Sequence, residues 1–97
     1  MNIYLLEQDE ETGYDTYDSC VVIAESENAA RNINPSQFAT HVKDGKWMGT
    51  YTKGGEYENE SDSWVKYSQI DQIKVTLLGV ALEGKEAGVV CASLNAR

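Results

Sequence analysis

Carboxylates are the side chains through which this sequence could do chemistry. Residues 1–30 hold eight of them (Glu7, Asp9, Glu10, Glu11, Asp15, Asp18, Glu25 and Glu27) and no Lys or Arg, whereas residues 31–97 hold eight acids and eight bases. The whole net charge of −8 therefore belongs to the first third of the chain. The first six of these acids fall in one twelve-residue stretch that also contains Tyr14 and Tyr17. Crowded carboxylates repel one another, so grouping them costs stability and sets up a negative field that attracts a basic surface. The interleaved tyrosines would add contact area. The expectation is a partner-binding segment made of Glu7, Asp9, Glu10, Glu11, Tyr14, Asp15, Tyr17 and Asp18. Its target would be a basic protein, including one that normally holds nucleic acid and whose ligand this surface would imitate. The competing reading is a solvated hairpin loop whose acids confer solubility.

Other chemistries fit the residues less well. In Glu56-Tyr57-Glu58-Asn59-Glu60-Ser61-Asp62 the carboxylates alternate, so an extended chain would present all four on one side. They would either enlarge the acidic patch or guard an edge strand against unwanted pairing. The run Asp9-Glu10-Glu11-Thr12-Gly13-Tyr14-Asp15 has its glycine at the fifth place of a would-be calcium loop and not the sixth, and Cys20 stands at the twelfth, so the EF-hand pattern fails. His41 is the only histidine, and a zinc site combining it with Cys20, Cys91 and a carboxylate would lack the close ligand spacing such sites use. Both cysteines lie in apolar runs, Ser19-Cys20-Val21-Val22-Ile23 and Val89-Val90-Cys91-Ala92-Ser93, and are expected to be buried, reduced and inert. No Gly-rich phosphate loop is present, Gly54-Gly55 being a turn signal, and the sign of the charge opposes direct nucleic-acid binding. The expectation is a non-enzymatic chain with no metal and no cofactor. Trp47 and Trp64 are expected as core anchors, and either would be a binding hot spot if exposed.

The elements that must position these residues follow from periodicity. At 97 residues, 41% hydrophobic and 25% charged, the chain is expected to form a single folded domain with one core. Residues 2–8 read as a central strand, with Ile3 and Leu5 on one face and Tyr4 and Leu6 on the other. Residues 19–25 are apolar and β-branched, so the two segments make an antiparallel hairpin with a long polar connection. Ser26 is an N-cap candidate for a short helix over residues 27–33, which Pro35 ends. Residues 46–52 read as a strand, residues 57–60 as a second arm and residues 63–67 as a further strand, with a turn or one helical turn over 68–72. Ile73, Val75 and Leu77 alternate with polar neighbours in a strand running toward Leu82, and residues 89–94 form another apolar strand. These last two are expected to pair as a hairpin through Glu83-Gly84-Lys85-Glu86. The fold expected is α+β, in β-β-α-β-β-β order. One antiparallel sheet of five or six strands carries a short helix on one face, its opposite face partly open to a partner. With no basic leader and no long apolar run, the default compartment is a cytoplasm.

Several segments carry a resemblance. Met1-Asn2-Ile3-Tyr4-Leu5-Leu6-Glu7-Gln8, Gly13-Tyr14-Asp15-Thr16-Tyr17-Asp18-Ser19 followed by Val21-Val22, Ala24-Glu25-Ser26-Glu27-Asn28-Ala29-Ala30-Arg31 and Gly88-Val89-Val90-Cys91-Ala92-Ser93-Leu94-Asn95 together resemble a family of small phage and prophage proteins. The order strand, polar loop, strand, Ala-rich helix and Trp-containing strands is similar to that of small anti-CRISPR proteins. The resemblance implies a phage accessory protein, acting in the host cytoplasm, that binds and blocks a host defence protein without catalysis. It transfers no catalytic residue. An alternative of another class is sequestration of a signalling nucleotide, which would require Arg31, Lys43, Lys46 and Lys53 to converge. Open edges and an open face also allow a homodimer.

Overall fold

The computed structural model describes residues 1–60 and 63–95. Among these the chain forms strands β1 (Asn2–Glu7) and β2 (Thr16–Ala24), helix α1 (Glu27–Arg31), and strands β3 (His41–Lys43), β4 (Lys46–Thr50) and β5 (Glu56–Glu58). A 3-10 helix (Tyr67–Gln72) and strands β6 (Lys74–Val80) and β7 (Gly88–Asn95) complete it. The α+β class is as expected, but the strands form two antiparallel sheets where one was expected: β6-β1-β2-β7 and β3-β4-β5.

Three local causes account for the difference. Trp64 and Val65 are adjacent and both buried, at 1% and 0% exposure, which a strand cannot achieve because neighbouring side chains leave its opposite faces. Residues 63–67 therefore do not extend the second sheet as a strand. Secondly, β3 is short and of unremarked composition, and what creates it is the turn: Asp44 and Gly45 both adopt positive φ, 53° and 74°, the two-residue geometry that closes a tight hairpin. Thirdly, β6 and β7 do not pair with each other. β6 pairs with β1 and β7 with β2, so residues 81–87 cross the end of the sheet from Val80, opposite Asn2, to Gly88, opposite Ile23. Three strand spacings are roughly 14 Å and seven extended residues reach roughly 23 Å, so the crossing needs no strain.

Helix α1 sits on one face of the larger sheet. Ser26 Oγ accepts from Ala29 N at 3.1 Å, Glu27 and Arg31 pair at 3.2 Å, and Arg31 Nη2 donates to Ile73 O at 3.3 Å, tying the helix to the start of β6. Under it lie Tyr4, Leu6, Cys20, Val22 and Ala24, joined in one buried cluster by Ala30, Ala39, Trp47, Trp64, Val65 and Ile73. Each large apolar side chain buried this way contributes about 1.5–3 kcal/mol. Trp47 is fixed further: its Nε1 donates to Val65 O at 2.9 Å, and its ring meets that of Tyr67 edge-on at 5.2 Å.

The opposite face of the larger sheet alternates with the buried one and carries Ile3, Leu5, Val21 and Ile23. None belongs to the buried cluster or packs against it. The cysteines divide between the two faces. Cys20 is buried as expected, whereas Cys91 is exposed, because it pairs with Val21 on an edge strand and so lies on the uncovered side. No helix among the described residues is long and apolar enough to cross a membrane.

Candidate functional site at the acidic end of the sheet

The connection between β1 and β2, residues 8–15, is organised by a glutamine. Continuing the alternation of Tyr4 and Leu6, Gln8 falls on the inward side and is 8% exposed. A buried amide must satisfy its donors and acceptors. Its Nε2 donates to Glu11 O at 2.8 Å and Tyr17 O at 2.6 Å, and its Oε1 accepts from the backbone N–H groups of Glu10 and Glu11, both at 2.9 Å. Thr16 Oγ1 donates to Gly13 O at 2.7 Å, and Asp15 takes a left-handed φ of 57°, which a short polar residue tolerates. The acidic loop thus has a fixed backbone, and Gln8, which the charge pattern alone did not single out, is its keystone. Its signal in the sequence was a polar residue standing in a buried register.

Around this scaffold the expected residues fall into two groups. Glu7, Asp9 and Asp18 line one shallow cleft of about 480 Å³ with Gln8, Ser19, Gln72 and Lys74. Asp15 lies on the rim of a second, of about 330 Å³, walled by Tyr17, Phe38 and Leu94. Glu10 and Glu11 stand on the loop itself, beside Tyr14, which is 67% exposed. Among the described residues none of the six carboxylates of this end forms a salt bridge. Tyr17 is half-buried against the core, its N–H donates to Ser63 O at 2.8 Å, and its remaining surface lines the second cleft. Phe38, 61% exposed, stands with it beside Asp15.

Two acids of the second acidic stretch, Glu56 and Glu58, lie in the smaller sheet, and their charges are compensated. Glu56 bonds both Lys43 Nζ and His41 Nε2, the latter at 2.6 Å, and Glu58 pairs with Lys46 at 3.1 Å. Glu60 accepts from Tyr67 N at 3.2 Å, and Asp62 lies outside the described residues. Lys43, followed by His41, holds the Glu56 carboxyl below its ordinary range, while Glu56 holds Lys43 above its own. With Thr40 Oγ1 at 2.9 Å from His41 Nδ1, a hydroxyl, an imidazole and a carboxylate stand in a chain. The outline is that of a proton relay, but the carboxylate is shared with a lysine at an exposed site and Thr40 N–H is committed to Met48 O at 2.8 Å. The arrangement reads as a cross-strand clasp. Arg31, Lys43 and Lys46, three of the four cations a nucleotide site would need, are each paired to a carboxylate. No group of three or more His, Cys, Asp or Glu suited to a metal ion occurs among the described residues. No protein-family model, curated protein or solved structure matches the chain.

Proposed function

We propose that this chain is a non-enzymatic phage accessory protein that inhibits or modulates a host defence protein by occupying a basic surface with the acidic end of its larger sheet. The observation that carries the reading is the set of six carboxylates on and beside a loop whose backbone Gln8 holds, none of them ion-paired among the described residues. Carboxylates without an ion pair on a loop whose backbone is already held are partly pre-organised for a partner, so binding loses less backbone entropy. A lysine or arginine entering the cleft of Glu7, Asp9 and Asp18 would meet three acids against the one resident cation, Lys74, and an apolar side chain at the second cleft would find Phe38 and Leu94. The resemblance to small phage proteins supports the biological setting.

The test is affinity capture from a bacterial host at low salt, comparing the native chain with a variant carrying Asp9→Lys, Glu10→Lys and Asp15→Lys. A stoichiometric basic partner should be retained by the native chain, released by high salt, and bound on the order of 10- to 100-fold more weakly by the variant, chiefly through slower association. Equal, salt-insensitive capture by both would rule the reading out.

A further inference from the structure

The uncovered face of the larger sheet points to a second interaction. β1 and β2 are apolar on both faces, the composition of strands covered on both sides, yet only one side is covered within the chain. Ile3, Leu5, Val21 and Ile23, all half-buried, form the middle of the open face, flanked on the edge strands by Thr76, opposite Leu5, and Cys91, opposite Val21. The charged side chains of the four strands are Glu7, Asp18 and Lys74, all at the acidic end, so the rest of the face carries no charge.

We propose that two copies of this chain pack through these open faces, forming a reversible dimer with the acidic loops at its ends. Charge selects the occupant. On a chain of net charge −8 this is a surface where a like copy meets no repulsion, and a basic partner would find nothing there to pair with. A two-fold axis that sets the strands of the two sheets antiparallel places the acidic loops at opposite ends, roughly 25 Å apart, beyond the ~8 Å screening length at physiological salt. Four strands of this length offer roughly 25 by 19 Å, so the pair buries on the order of 1,000 Å² in total, the lower limit for a specific interface. The dimer is accordingly placed at the weak, transient end of specific interfaces.

Sedimentation of the full chain from about 1 to about 500 µM tests this, with the midpoint read as the Kd. The expected result is a monomer–dimer transition that Val21→Lys abolishes and Glu10→Gln leaves in place. Should Val21→Lys fail to fold by circular dichroism, Thr76→Lys, already polar and on an edge strand of the same face, should move the midpoint at least about 10-fold higher. A native chain monomeric at the highest concentration, or a dimer that the folded face variants leave intact, overturns the proposal. Because Glu10→Gln touches only the loop, failure here and failure of partner binding at the acidic end are separable.

Discussion

At the scale of single residues, Cys20 and Cys91 show how a pleat assigns different chemistry to two neighbouring thiols. Cys20 pairs with Ala92 and Cys91 with Val21, so the two side chains leave opposite faces of the sheet and are not placed to form a disulfide. Burial, with Cys91 nearby adding a smaller contribution, pushes the Cys20 thiol up to about 12, so it carries almost no thiolate near neutrality. In dilute native protein a thiol-specific disulfide reagent is therefore expected to modify Cys91 alone, Cys20 becoming reactive only in denaturant. Cys91→Ser should remove the fast phase and Cys20→Ser should leave it; a fast phase that survives Cys91→Ser would contradict the assignment. The sequence led to burial for both because each lies in an apolar run, and such runs reveal that a strand is apolar without revealing whether it ends up at an edge.

At the scale of elements, the hairpin of β4 and β5 is built around a missing side chain. A Cβ on Gly49 would overlap the ring of Tyr57 and stand 2.5 Å from Phe38 O, and the backbone oxygen cannot yield as a flexible side-chain tip could. Gly49→Ala is expected to cost about 2 kcal/mol or more, lowering Tm by roughly 10 °C, whereas alanine at Gly13, where the space is open, should shift it little. A thermal melt decides between them. Strands β1, β2, β4, β6 and β7 and the helix capped by Ser26 were legible because each carries its own period or cap. What escaped was pairing: nothing in residues 73–94 distinguishes a hairpin from a chain that crosses the sheet end, since the preference is set by the edges that β1 and β2 offer. The acidic segment was legible as charge, but the half-burial of Tyr17 against the core depended on tertiary packing and was not.

At the scale of the whole molecule, the charge is unevenly compensated. The smaller sheet ties Glu56 and Glu58 to cations, while the acids at the end of the larger sheet have no such partners among the described residues. Self-repulsion should therefore be concentrated there and be relieved by screening. Tm is expected to rise by a few degrees between about 10 mM and about 500 mM NaCl, and to rise less in a variant with Asp9→Asn, Glu10→Gln and Glu11→Gln. A Tm that falls with salt would mean that the exposed ion pairs of the smaller sheet outweigh the repulsion.

The crossing between β6 and β7 also bears on the order in which the molecule assembles. β1 and β2 are neighbours in sequence and can close early, whereas β7 joins residues from distant parts of the chain, Thr16 with Asn95, and must wait for that long loop to close. β7 is an outer strand held by β2 alone, and Val89, Val90 and Leu94 on it are exposed, so it has less to lose on leaving than the central strands β1 and β2. Such an outer strand arrives after the centre of the sheet and leaves before it, and while it is away the edge of β2 stands unoccupied, open to a foreign extended segment in its place.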